Sequence, residues 1–306
     1  MSHLVSRRRA LAVVLAFVLA VTCTVVPAAP KRAEARACPA VAVIAARGSG
    51  QPNIGRTSYA RSPWVSNGWE GEHIRAFLRT SESRYRATHS GKSLMNNVEV
   101  LGLGPEYYPA FMPEYHGTVP ALPRTLAQTL NLVGVYALPL FQMGAQAARD
   151  FVGSVGTGRV GVIRQIDDYQ RATGCRPQYV VVGFSQGAMI LQDAEREIAR
   201  RGQLAGAVYL GNPMTAPGDP ATVGVAGGGA GGLVGWSPLN SKTAAATRNR
   251  ANYCLPLDGV CDFSLATLRA SEATGGNHGR YFVWPSRWDN VVADRFGKWV
   301  DGVRYR

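Results

Sequence analysis

Short apolar runs and helix-spaced apolar faces take turns along this chain. "PAVAVIAARG" (39–48) is a continuous apolar run closed by Arg-Gly, the pattern of a buried strand entering a loop. "GEHIRAFLRTSESRYRAT" (71–88) sets Ile74, Phe77, Leu78 and Tyr85 near helical spacing. "NNVEVLGLG" (96–104) reads as a second strand. "GRVGVIRQIDDYQRAT" (158–173) reads as a helix with Val162, Ile163, Ile166 and Tyr169 on one face, ending at Gly174. "YVVVGF" (179–184) is a third strand, followed by a helix to about Arg201, and "LAGAVYLG" (204–211) a fourth strand. "RANYCL" is a candidate fifth, and "WDNVVADRFGKWVDGV" a closing helix. Strands alternating with helices predict an α/β fold, with helices on both faces of a mostly parallel sheet.

The first 37 residues break this rhythm. Arg7-Arg8-Arg9, the run "ALAVVLAFVLAV" and a small-residue stretch ending Ala35-Arg36-Ala37 have the make-up of a secretory signal peptide. Residues 38–306 would then form a single exported domain, secreted or held at the cell envelope. Removing the leader takes away six Lys/Arg and one Glu, so the net charge drops from +13 to +8. No basic block remains beyond Arg248-Asn249-Arg250, which argues against a nucleic-acid partner. Attraction to an anionic envelope surface suits an exported chain better. With Cys23 in the leader, Cys38, Cys175, Cys254 and Cys261 remain, enough for two disulfides with three possible connectivities. Their spacing is not that of a zinc site.

Candidate chemistry centres on Gly183-Phe184-Ser185-Gln186-Gly187, a G-x-S-x-G sequence set where a strand turns into a helix. In that context the pattern is a nucleophile elbow, which needs small neighbours so that the serine hydroxyl stands clear of the turn. An activated serine needs a base, usually a histidine oriented by a carboxylate. His73 and His89 lie in or beside a polar helix and read as surface residues; His116 lies upstream in a loop. Only His278 follows Ser185, in the chain order Ser, acid, His. Between them, Asp193, Glu195 and Glu197 ride the helix after the elbow, and Asp219 reads as solvated in a Gly/Pro-rich loop. Asp258, enclosed by Cys254 and Cys261, is the leading acid; Asp262 is the fallback.

"ARGSG", "GFSQG", "CLPLDGVC" and "HGRY", in this order, resemble the signature segments of the cutinase family of secreted serine esterases. The resemblance covers most of residues 38–300. It implies a three-layer α/β/α hydrolase fold, with Ser185 as nucleophile, Asp258 as acid and His278 as base. It also implies an oxyanion hole from Ser49 and Gln186, and disulfides Cys38–Cys175 and Cys254–Cys261. The activity implied is hydrolysis of carboxylic esters, of cutin or lipid type, by a monomer without metal or cofactor. Alternatives are a phospholipase, a hydrolase of mycolic esters in the cell envelope, or a silent lipid-binding protein on the same scaffold.

Two stretches exceed a minimal member of that family. One is the apolar, proline-interrupted helical stretch near 111–157, read as added core or as a flap against acyl chains. The other is the glycine-rich excursion near 217–240, read as a mobile surface loop. "SEATGGNHGRY" gives the base a polar setting, which argues against solid polymer as substrate.

Overall fold

The computed structural model describes residues 37–112, 126–272 and 274–305; the expected leader up to Arg36, the first part of the 111–157 segment and His116 lie outside them. Six strands form one sheet: β1 (Val41–Ala46), β2 (Val98–Gly102), β3 (Gln178–Phe184), β4 (Leu204–Leu210), β5 (Thr222–Gly224) and β6 (Arg250–Cys254). Their order is β2-β1-β3-β4-β6-β5, and every neighbouring pair is parallel. Among the described residues five α-helices accompany it: α1 (Glu72–Thr88), α2 (Leu126–Thr173), α3 (Gln186–Arg200), α4 (Leu265–Glu272) and α5 (Asp289–Arg304). The sheet is wholly parallel, and from Cys38 onward the chain divides no further.

Strand alternation builds the three layers. Val41, Val43 and Ala45 of β1 face one side, with Val180 and Val182 of β3, and meet Ile74, Phe77 and Leu78 of α1 and Val292, Phe296 and Val300 of α5. Ala42, Ile44 and Ala46 face the other side, with Tyr179 and Val181, and meet Val162 and Ile166 of α2 and Ile190 and Leu191 of α3. Strands buried on both faces must be apolar at nearly every position, and β1 is completely buried. Its short, continuous run marked it as a strand for the same reason.

The helix expected over 158–173 is the last third of α2, which begins at Leu126. The helix runs without a break through Gly153, Gly156 and Gly158. At Gly161 the missing side chain has a packing cause, since a Cβ there would stand 1.9 Å from the Tyr107 carbonyl oxygen. The glycine-rich excursion departs from its expected form as well. It supplies β5, and Asp219 at its start is buried, accepting hydrogen bonds from Arg250 (3.1 Å), Asn252 (2.7 Å) and the Ala221 amide (2.9 Å). Asp219 therefore pins the excursion to β6 and is not solvated.

Candidate active site

The carboxyl ends of β1, β3, β4 and β6 open on one edge of the sheet, and the sequence-derived residues converge there. At the end of β3, Ser185 takes φ 53° and ψ −120°, a backbone shape disfavoured for any residue with a side chain. Its amide is held by the Leu210 carbonyl of β4 at 2.9 Å. The two glycines of the elbow answer two close approaches. A Cβ at Gly183 would lie 2.6 Å from the Ala188 backbone, and one at Gly187 would lie 2.0 Å from the Ala46 carbonyl oxygen. Helix α3 thus starts hard against both β3 and β1, and its N-terminal amides point to the sheet edge where the serine stands.

Ser185 Oγ lies 2.9 Å from His278 Nε2, and His278 Nδ1 lies 3.0 Å from both oxygens of Asp258. A carboxylate only accepts, so Nδ1 carries the proton of the neutral ring, and Nε2 accepts from the serine. Asp258 is completely buried, whereas the His278 side chain is about a third exposed. The Val260 amide donates to Asp258 Oδ1 at 2.9 Å, and the Tyr281 hydroxyl donates to Oδ2. Burial and this contact push the Tyr281 phenol far up, so it stays a donor. Tyr281 also accepts from the Leu255 amide at 3.1 Å, linking both ends of the acid loop. The loop is closed by the Cys254–Cys261 disulfide, with Cα atoms 5.8 Å apart. Cys38–Cys175 joins the start of the domain to the turn before β3, and both bridges have the pairing that the resemblance implied. Asn277 ties the histidine loop to the acid loop through the carbonyls of Pro256 (2.6 Å) and Leu257 (3.2 Å).

Gln186 is fully buried, and its side chain turns inward: Oε1 accepts from Tyr108 (2.7 Å) and Ser154 (3.1 Å). What it presents to the sheet edge is its amide, the first of the orphan N–H groups of α3. Ser49 sits on the loop after β1, partly exposed, beside the residues that abut Gly187. That loop is shaped by Arg47, which is buried yet faces carbonyls: Gln51 (2.8 Å), Leu103 (2.5 Å), Tyr108 (3.3 Å) and Pro109 (3.4 Å). Desolvation lowers its pKa, though a guanidinium stays charged. Nothing in "ARGSG" alone signalled this role.

The rejected acids have other partners. Asp262 accepts from the Ala230 amide (2.7 Å) and Thr267 (2.8 Å), so it organises the excursion and the start of α4. Asp193 pairs with Arg159, Glu197 with Arg200 and Arg201, and buried Glu195 accepts from Tyr209 and from the Ala246 amide. His89 stacks on Tyr85 at the end of α1. His73, in contrast, is not a surface residue. It is 7 % exposed and hydrogen-bonded to Gln51 and to the carbonyl of Gly279, next to His278. The helix face that it shares with Ile74 and Phe77 was legible; the packing of that face against the site was not. Among the described residues no group of three His, Cys, Asp or Glu side chains is arranged to hold a metal ion.

No family model and no curated protein matches the chain. Among solved structures it is similar to a cutinase-like protein from Cryptococcus sp. (19 % identity, covering 88 % of this chain and 97 % of the other, TM-score 0.48). It is also similar to an acetylxylan esterase (16 %, 87 % and 99 %, TM-score 0.45) and to Trichoderma reesei cutinase (17 %, 86 % and 77 %, TM-score 0.38).

Proposed function

We propose that the chain is an exported serine esterase that hydrolyses carboxylic esters through an acyl-enzyme. The observation that carries this reading is the continuous hydrogen-bonded line Ser185–His278–Asp258, with the serine on a strained turn at the head of a helix. His278 removes the serine proton as Oγ attacks the ester carbonyl. Buried Asp258 holds the imidazole in the required tautomer and stabilises its cationic form. Negative charge on the carbonyl oxygen is received by main-chain N–H groups of Ser49 and Gln186, with the Ser49 hydroxyl beside them. Each such donor is worth about 2.7–4 kcal/mol in the transition state. His278 returns the proton to the departing alcohol, then activates water to release the acid.

One feature favours lipid-like esters within this class. Met112 is 59 % exposed and packs over Gly50, next to Ser49, beside the half-exposed Phe111. An apolar rim at this point suits an acyl chain, whether from a neutral ester, a phospholipid or an envelope mycolic ester. Residues 1–37 serve as the export signal in this reading, and the two disulfides suit an oxidising compartment.

The test is covalent labelling by a fluorophosphonate, with nitrophenyl ester turnover measured in parallel. Wild type labels and turns over; Ser185→Ala does neither and keeps its far-UV circular dichroism. An unlabelled, inert wild type would return the chain to the alternative of a silent lipid-binding scaffold.

A further inference from the structure

Helix α1 carries His73 on its buried face, where an imidazole finds two polar partners on two different loops. Its Nδ1 is 2.9 Å from Gln51 Nε2, and its Nε2 is 3.0 Å from the Gly279 carbonyl oxygen. The proton positions follow from one neighbour. Gln51 Oε1 accepts from the Gly48 amide at 2.8 Å, so the same side-chain amide turns its N–H to His73. Nδ1 is then an acceptor, and the neutral ring donates from Nε2 to Gly279. Three hydrogen bonds run in one sense, from Gly48 through Gln51 and His73 to Gly279. One end adjoins Ser49 and the other adjoins His278. The ring also stacks on Phe184, with centroids 4.1 Å apart and planes 28° apart, and Phe184 lies 5.0 Å from the His278 ring at 27°. His73, Phe184 and His278 thus form a stack behind the nucleophile.

We propose that His73, as the neutral ring protonated on Nε2, is a positioning residue. It fixes the loop that presents Ser49 relative to the loop that carries His278. It touches neither substrate nor reacting atoms, and the role rests on the esterase reading above. The need for such a strut is geometric. The oxyanion donor and the base come from loops more than 200 residues apart in sequence, and a displacement of about 1 Å in either can cost on the order of a hundredfold in rate. Protonation of Nδ1 would set two donors face to face and break the chain at Gln51. Burial acts in the same direction, pushing the His73 pKa below its usual value. The titratable and charged groups around it are Glu72 on its own helix, Arg47 behind Gln51, and His278 beyond Phe184 with Asp258 behind it. Arg280 lies over the Trp284 ring.

Two variants on the full chain test this, with a nitrophenyl ester as probe. His73→Phe keeps the stack and removes both hydrogen bonds. Its kcat is expected to fall about tenfold or more while KM stays within about twofold, because only transition-state geometry is disturbed. Gln51→Glu still accepts from Gly48 but has no proton for Nδ1, so its chain closes only when His73 is charged. Its kcat relative to wild type should therefore be higher at pH 6 than at pH 8. Wild-type kcat in His73→Phe, or a loss confined to KM, overturns the proposal, as does a Gln51→Glu profile parallel to wild type. Should His73→Phe fail to fold, the Gln51→Glu profile decides alone. Failure of the esterase reading looks different, since wild type itself would then show neither labelling nor turnover.

Discussion

The Tyr281 hydroxyl donates a hydrogen bond to the Asp258 carboxylate that His278 also engages, and both Tyr281 and Asp258 are closed to solvent. The acid is thereby held from two sides, by a phenol and by an imidazole, with the Val260 amide on its other oxygen. Removing the phenol leaves Asp258 Oδ2 short of a donor and the Leu255 amide without its acceptor. Tyr281→Phe is expected to lose about 1.5–3 kcal/mol of stability, the range for a hydrogen bond to a charged group. Denaturant unfolding measures this, and kcat should fall alongside. Asp258→Asn should lower kcat far more, toward ten-thousandfold, since it imposes the wrong tautomer on His278. Equal effects of the two variants would contradict this division of labour.

The two disulfides have opposite expected balances. Cys254–Cys261 closes a separation of 7 residues and Cys38–Cys175 one of 137. Chain-entropy arithmetic gives about 2.5 and about 5 kcal/mol as upper values. The short bridge, however, frames Asp258. Replacing Cys254 and Cys261 by serine should reduce turnover more than melting temperature, and replacing Cys38 and Cys175 should do the reverse. Paired kcat and calorimetry measurements check both halves.

Acid should weaken the fold through His73. Its folded pKa lies below the free value of 6.5, because burial disfavours the charged ring. In the window between the two values the unfolded chain binds more protons, so stability is complete above about pH 6.5 and declines as pH falls. The buried carboxyls Asp193, Glu195 and Asp289 act in the opposite sense, since burial raises theirs. A difference measurement isolates the histidine. The stability gap between wild type and His73→Gln should narrow as pH falls below about 6.5, by urea unfolding at each pH. A gap that stayed constant from pH 7.5 to pH 5 would show that folding leaves the His73 pKa at its free value.

Substrate preference should follow the apolar rim. Each methylene buried against Met112 and Phe111 is worth about 0.8 kcal/mol, nearly fourfold in binding. Medium or long acyl esters should therefore exceed acetate in kcat/KM, with weak activity on solid polyester. Met112→Gln should flatten that profile while leaving acetate turnover near wild type. A profile that peaks at acetate in the unaltered protein would count against the rim as an acyl contact.

Much of the fold could be read in the chain because parallel strands buried on both faces leave continuous apolar runs. β1, β3 and β4 announce themselves in this way, and Ser185 and Asp258 stand on the turns that follow strands of the sheet, with His278 in the loop between α4 and α5. β5 could not be read. It has three residues, sits among glycines, and owes its place to buried Asp219 just before it, which pairs with Arg250 of β6. The helix over 158–173 was legible, but not that it is continuous with the apolar stretch before it in the single helix α2. His73 was misread for a general reason: a helix among charged residues shows which residues face inward, and not what lies opposite them. Tyr281 stood in "HGRY" all along, but a tyrosine three residues past a histidine carries no sign of the acid it meets.

The backbone at Ser185 asks for glycine, which enters positive φ without strain, while a serine held there costs about 1–3 kcal/mol. Selection for a stable protein alone would have no reason to keep a hydroxyl at such a point. A single chain therefore carries a trace of its past: at position 185 usefulness has prevailed over durability. A descendant released from turnover would also be released from this conflict, and drift from serine to glycine at 185 would be among the first marks of that release.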